Sequence, residues 1–121
     1  MSRYLNDLVP EFKEKVFELL ARLIEESIFV KIISTGRTLE EQAENVKKGV
    51  SWTMKSKHLT GKAIDLCPIR SYFVLDGKPT TKLQWDDVNP EWTKLGELAE
   101  SLGLKWGGRW KQRDLGHVEM P

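Results

Sequence analysis

Two histidines, each in a short segment that also holds carboxylates, are the residues of this chain best suited to chemistry. His58 is followed seven residues later by Asp65, and His117 lies between Asp114 and Glu119. Imidazole is the commonest metal ligand among side chains, and it titrates near neutral pH. Nitrogen and carboxylate oxygen are both ligands that zinc accepts in proteins. These residue types make a metal site the first hypothesis.

His58 and Asp65 can reach one ion only if the chain turns between them. Seven residues span about 10.5 Å along a helix and about 23 Å along a strand, whereas zinc needs donor atoms about 2 Å away. Thr60-Gly61 supplies a turn, because glycine permits the reversal, and Asp65 then projects from the strand that follows. Cys67, on the same strand face, is an alternative soft ligand, although a lone cysteine is more often a small buried apolar residue.

The second segment supplies the remaining groups of a catalytic site. In a strand that starts at Gly116, His117 and Glu119 share one face, because side chains alternate along a strand. Asp114 precedes His117 by three residues across a turn, which can place its carboxylate beside a metal-bound water. With the two residues of the first segment, this gives three protein ligands and one further carboxylate. Three ligands plus a water form an open, catalytic zinc site.

The first half of the chain is predicted to hold two helices and a strand. Apolar residues recur at three- and four-residue spacing from Pro10 to about Ser27, which is typical of an amphipathic helix. Ile28–Ser34 is rich in β-branched residues and too short for another helix, so we expect a largely buried strand in the interior of the sheet. A capping-box pair opens a second helix, expected at about Leu39–Lys48.

The second half is predicted to complete the sheet and to add a third helix. Asn89-Pro90 has the pattern of a helix start, and helical spacing continues to Gly103. Ser71–Leu83 is expected to be a peripheral excursion with a hairpin signal at Asp76-Gly77. The predicted strands are Lys62–Leu66, Leu104–Trp106 and Gly116–Met120. Three helices against a small, mostly antiparallel sheet give an α+β domain.

Composition limits the class of protein. The 121 residues are 40% hydrophobic and 31% charged, which suits a single soluble domain over residues 1–121. One cysteine allows neither an internal disulfide nor a cysteine-rich zinc finger. The net charge of +1 gives no general reason to expect nucleic acid or an acidic membrane as a partner. We also expect no secretory signal at the polar N-terminus and no membrane span.

Both histidine segments resemble motifs of the M15 family of zinc peptidases, the D-Ala-D-Ala carboxypeptidase-like group. Residues 56–65 (SKHLTGKAID) resemble the family's SxHxxGxAxD motif. Residues 114–119 (DLGHVE) resemble its second motif, an acidic residue three before the last metal-binding histidine. Gly36-Arg37-Thr38 with Glu41-Gln42 resembles the family's arginine segment. The similarity is greatest to the bacteriophage endolysin branch, the L-alanyl-D-glutamate endopeptidases, and it implies an M15/Hedgehog-like fold.

The resemblance implies a role for each residue of the site. Zinc would be held by His58, Asp65 and His117. Asp114 aligns with the family's catalytic acid, which would take a proton from water and deliver it to the leaving amine. Arg37 aligns with the arginine that binds substrate or the oxyanion, where a fixed guanidinium would stabilise developing negative charge. A structural salt bridge with a nearby glutamate is the alternative for Arg37.

Three further residues are candidates for supporting roles. Ser56 aligns with the serine of the motif and would hydrogen-bond substrate or a ligand, or cap a turn. Glu119 is expected to orient a ligand as a partner in the second coordination shell, with the catalytic base as its alternative role. Trp106 and Trp110 could wall a substrate groove or pack in the core.

The function implied is a zinc-dependent endolysin that hydrolyses the L-Ala–D-Glu bond of peptidoglycan stem peptides and so lyses the host. A monomer, made in the host cytoplasm and reaching the wall through a phage holin, fits that reading. Lysines and arginines around both motifs would attract the carboxylates of stem peptides. Two alternatives stay open: a D,D- or L,D-carboxypeptidase or dipeptidase of the same family, and a non-catalytic zinc-containing wall-binding module.

Overall fold

The computed structural model describes residues 3–36, 47, 57–73 and 79–121, without the side chains at 58, 59, 71–73 and 79–82. The described helices are α1, Pro10–Glu25, and α2, Glu91–Ser101. The strands are β1, Val30–Ser34; β2, Ala63–Phe73; β3, Pro79–Leu83; β4, Lys105–Trp106; and β5, His117–Glu119. Short 3-10 helices cover Leu5–Asp7, Lys57–Thr60 and Gly107–Arg109.

The described strands form one antiparallel sheet in the order β1-β2-β5-β4, and β3 pairs with the second half of β2. Both helices supply buried residues at helical spacing to one continuous core. The predicted α+β class is therefore confirmed. In the described part of the chain, no helix has the length and apolar character needed to cross a membrane.

The sheet separates the core from the polar groups of interest. Ile64, Leu66 and Val118 are fully buried in the core cluster beneath the helices. Asp65 and His117 alternate with these residues along β2 and β5, and side chains of successive strand residues point to opposite faces. The two candidate ligands therefore project from the face of the sheet opposite the helices.

The predicted interior strand is instead an edge strand among the described strands. β1 pairs only with β2 in the sheet order, and its first four residues are half-buried or exposed. Val30 and Ile32 pack against the core, whereas Lys31 between them is exposed. The β-branched residues of this segment therefore correspond to a strand with one buried face, not to a strand buried on both faces. The central strand is β2, of which the predicted Lys62–Leu66 strand is only the first part.

The region predicted as a peripheral excursion is largely a hairpin. β2 continues to Phe73, which pairs with Pro79 of β3. This pairing brackets the predicted Asp76-Gly77 turn, which itself lies outside the described residues. The predicted second helix, Leu39–Lys48, also lies outside them apart from the helical Lys47. The predicted first and third helices are confirmed, and Asn89 Oδ1 accepts a hydrogen bond from the Glu91 amide at 3.0 Å, as expected of a helix cap.

Trp106 anchors α2 to the turn that precedes β5. Its ring lies between two glycines: a methyl group added at Gly96 or Gly108 would come within 2.0 or 2.2 Å of ring atoms. The indole Nε1 donates to the Leu115 carbonyl at 2.8 Å, and the Arg109 guanidinium lies 5.1 Å from the ring centroid. Trp106 is 5% exposed, so it packs in the core and does not wall a groove.

We predict that Gly96→Ala destabilises the protein although alanine is the better helix former. Helix propensity alone would favour alanine by about 1 kcal/mol, but overpacking against the Trp106 ring should lower the free energy of unfolding by about 1–3 kcal/mol. Glu97→Ala, at an exposed site on the same helix, is the control and should change it by less than about 0.5 kcal/mol. Chemical denaturation measures both; a Gly96→Ala variant as stable as the control would contradict the packing argument.

Candidate metal centre

Asp65 and His117 face each other across the β2–β5 ladder. They are direct partners in its register, and His117 Nδ1 lies 3.1 Å from Asp65 Oδ1. The His117 side chain is 7% exposed and that of Asp65 is 17% exposed. Strand pairing thus brings together two predicted metal ligands that are 52 residues apart in the sequence.

Asp114 joins this pair from the turn before β5. Its backbone amide donates to the Gly107 carbonyl at 3.0 Å, and its carbonyl accepts the His117 amide at 3.2 Å. The carboxylate Oδ2 then lies 4.0 Å from His117 Nδ1. One ligand atom from each of Asp65, Asp114 and His117 lies within 4.8 Å of the others. Two carboxylates and an imidazole at this spacing can hold a divalent cation.

Glu119 lies on the other side of the His117 ring. Its Oε1 is 2.7 Å from Nε2, and its Oε2 is 3.0 Å from Lys57 Nζ. When Nε2 carries the proton and donates a hydrogen bond to Glu119, the lone pair of Nδ1 is directed towards the two aspartates. Hydrogen bonding of the distal nitrogen to a carboxylate is the usual way in which proteins orient a metal-binding histidine.

The surrounding carboxylates determine the charge of His117. Burial by itself lowers the pKa of His117, but hydrogen bonds to Asp65 and Glu119 and the charges of Asp65 and Asp114 raise it to about 9. Burial raises the pKa of Glu119, but the contacts with His117 and Lys57 outweigh it and lower that pKa below its ordinary value. The groups that stabilise an imidazolium here are those that would stabilise a divalent cation in place of its Nδ1 proton.

Trp110 borders the donor group, which consists of Asp65, Asp114 and His117. Its ring centroid is 4.8 Å from that of His117, with an angle of 46° between the planes. The indole is half-buried, so part of it faces solvent beside the site. The predicted substrate-binding tryptophan is therefore next to the predicted metal ligand.

The first motif is described only in part. His58 lies in the 3-10 helix Lys57–Thr60, but its side chain is outside the described residues, as are Arg37 and Ser56. The turn predicted between His58 and Asp65 is present, with Gly61 at φ +69° and the Lys62 amide donating to the Lys57 carbonyl at 3.0 Å.

Cys67, the alternative ligand, does not belong to the donor group among the described residues. Its side chain is buried, and burial raises the pKa of the thiol, whereas metals bind the thiolate. Cys67 is therefore a small buried apolar residue, as a lone cysteine more often is.

Ser34 is a neighbour of the site that no sequence motif indicated. It pairs with Asp65 in the β1–β2 register, after an irregularity that shifts the pairing between Ile32 and Ser34. Ser34 is fully buried, and its hydroxyl has no hydrogen-bond partner in the described structure. Irregularities of this kind redirect side chains next to active sites. Only the strand register could have revealed that Ser34 lies opposite Asp65.

The chain is similar to known proteins along most of its length. The family described as phage L-alanyl-D-glutamate peptidase matches residues 2–120. The chain belongs to that family. It is 35% identical to the L-alanyl-D-glutamate peptidase of Listeria phage A118, over 97% of this chain but only 37% of that protein. It is 30% identical to the peptidoglycan L-alanyl-D-glutamate endopeptidase CwlK of Bacillus subtilis, over 95% of this chain and 74% of that protein.

A solved structure agrees with the family assignment. The crystal structure of the Serratia marcescens L-Ala D-Glu endopeptidase ChiX is similar with a TM-score of 0.69 and 26% sequence identity. The similarity covers 97% of this chain and 83% of that one. The endopeptidase branch predicted from the two histidine motifs is thus confirmed at the level of the family.

We predict that the donor group binds one divalent ion per chain and that Asp65→Asn weakens this binding at least 100-fold. Removing a ligand charge from a half-buried site leaves the cation under-coordinated. Asp87→Asn is the matched control, because Asp87 is an exposed aspartate outside both histidine segments. This variant should bind zinc as the parent protein does. Equilibrium dialysis with zinc measures both. Equal affinity in the two variants would show that Asp65 is not a ligand.

Proposed function

We propose that the protein is a zinc-dependent peptidase of the M15 type that hydrolyses the L-Ala–D-Glu bond of peptidoglycan stem peptides. The observation that carries this proposal is the convergence of Asp65, Asp114 and His117 within 4.8 Å in a member of the phage L-alanyl-D-glutamate peptidase family. The relatives named above are peptidases of this bond. Hydrolysis requires a polarised carbonyl, an activated water and a proton carrier. A cation held by these residues would supply the first two, and a carboxylate can carry the proton.

The two aspartates differ in exposure, which supports different roles for them. The Asp65 side chain is 17% exposed and lies against Nδ1, whereas that of Asp114 is 48% exposed and stands 4.0 Å away. The more enclosed carboxylate suits a fixed ligand, and the more open one suits a group that meets water and substrate. We therefore assign zinc binding to Asp65 and His117, and general acid–base catalysis to Asp114. The resemblance of residues 56–65 to the family motif adds His58 as the third zinc ligand.

Zinc, when bound, would supply Lewis-acid polarisation of the scissile carbonyl and lower the pKa of water. Asp114 accepts the proton of the attacking water as the new C–O bond forms. It then passes that proton to the D-Glu nitrogen as the C–N bond breaks. Arg37 stabilises the negative charge that develops on the carbonyl oxygen. Glu119 meanwhile orients His117 through Nε2.

The substrate would be recognised by the surface around Asp114. Trp110 offers a partly exposed ring beside His117, and Lys111 and Arg113 are exposed in the loop that leads to Asp114. Stem peptides carry the carboxylate of D-Glu and, in many bacteria, that of diaminopimelate, which this basic loop would attract. Ser56 is assigned a hydrogen bond to substrate or ligand. A single domain over residues 1–121, a monomeric state and passage through a holin belong to the same proposal and rest on the resemblance.

The function can be tested by mass spectrometry of products from purified Gram-negative peptidoglycan. We expect fragments with new D-Glu amino termini, lost with a chelator and restored by zinc, because the metal polarises the carbonyl. Release of terminal D-Ala would instead indicate a carboxypeptidase. Absence of any product from folded, zinc-loaded protein would favour the wall-binding module.

We expect Asp114→Asn to keep zinc and to lose hydrolysis. Removal of a general acid–base group lowers kcat by about 10²–10⁴-fold, while the zinc affinity should stay within a few-fold of the parent. Asp87→Asn is again the control for loss of one carboxylate. A loss of zinc as large as that of Asp65→Asn would make Asp114 a ligand, and unchanged kcat would move the base elsewhere, with Glu119 the next candidate.

A further inference from the structure

Lys57, the residue before His58, reaches β5 with its ammonium group. Nζ lies 3.0 Å from Glu119 Oε2 and also donates a hydrogen bond to the Met120 carbonyl. The Lys57 side chain is 32% exposed and that of Glu119 is 13% exposed. The contact is therefore more enclosed than an ordinary surface pair such as Arg22–Glu18, whose side chains are 42% and 55% exposed.

Glu119 links this lysine to the metal centre. One carboxylate oxygen contacts Lys57, and the other is 2.7 Å from His117 Nε2. On the far side of the ring, Nδ1 is 3.1 Å from Asp65 Oδ1. Ammonium, carboxylate and imidazole thus form one continuous chain that ends at the predicted metal-binding nitrogen.

The backbone joins the same segments. The Lys57 carbonyl accepts the Lys62 amide at 3.0 Å, and the Lys62 carbonyl accepts the Met120 amide at 2.9 Å. The turn that contains His58 is therefore held against the end of β5. Lys57 adds a side-chain contact across the same junction, so its ammonium group connects the two motifs that would hold the metal.

We propose that Lys57 is a positioning residue of the metal centre: its ammonium group holds Glu119 in the orientation that directs His117 Nδ1 to the metal. The inference rests on the proposed function, since it assigns a role towards the same ion. A cation at this position keeps the Glu119 carboxylate from rotating towards solvent. Partners of this kind set ligand orientation and typically change metal affinity or activity by about 10–100-fold.

Three variants test the proposal. Lys57→Met removes the charge but keeps the length of the side chain, Lys57→Arg keeps the charge, and Lys62→Met removes an exposed lysine of the same turn as the matched control. Zinc affinity is measured by competition with a chromogenic chelator, and ligand geometry by the visible spectrum of the cobalt-loaded protein. Thermal melting of the metal-free variants and the kcat and KM of hydrolysis complete the comparison.

We expect Lys57→Met to weaken zinc binding about tenfold or more, to alter the cobalt spectrum and to lower kcat with little change in KM. Lys57→Arg should recover most of the affinity, and Lys62→Met should keep the zinc affinity and the cobalt spectrum of the parent protein. In a Glu119→Gln background, Lys57→Met should cause less than a twofold further loss, because its effect passes through Glu119.

The proposal is overturned if Lys57→Met only lowers the melting temperature while affinity and spectrum match those of Lys62→Met. A full additional loss in the Glu119→Gln background would overturn the route through Glu119. These outcomes are distinct from failure of the proposed function, in which the parent protein itself would neither bind zinc nor cleave the stem peptide.

Discussion

The pairing of β2 with β5 is the constraint on which the described metal centre depends. The same three-residue register that buries Ile64 against Val118 places Asp65 opposite His117 on the other face. A shift of either strand by one residue would turn its charged residue into the core and its apolar residue outward, which burial energetics strongly disfavour. The hydrophobic core and the candidate metal ligands Asp65 and His117 are thus positioned by one ladder.

Trp106 extends this constraint to the turn that carries Asp114. Its ring fits between Gly96 and Gly108 and hydrogen-bonds the Leu115 carbonyl, so α2 and the turn hold each other in place. Because Leu115 lies next to Asp114 in the chain, this contact limits how far the Asp114 carboxylate can move. A buried packing contact therefore supports a side chain that is itself about half exposed to solvent.

The candidate metal centre concentrates negative charge, although the chain as a whole is nearly neutral. The net charge is +1, yet Asp65, Asp114 and Glu119 all surround His117. Like charges at such spacing repel one another unless a cation lies among them. Lys57 supplies one positive charge at the outer carboxylate, and His117 supplies another as an imidazolium. A bound divalent ion would relieve the remaining repulsion and should stabilise the fold by mass action.

The sequence by itself determined the two amphipathic helices, the turn at Gly61 and the identity of the carboxylates and histidines, because local spacing and residue type carry that information. It did not determine that β1 lies at the edge of the described sheet, since a β-branched run is compatible with one buried face or two. Contacts such as Lys57 with Glu119, and Ser34 opposite Asp65, also required the tertiary structure. They join residues distant in the chain, and only the register of paired strands decides which of them meet.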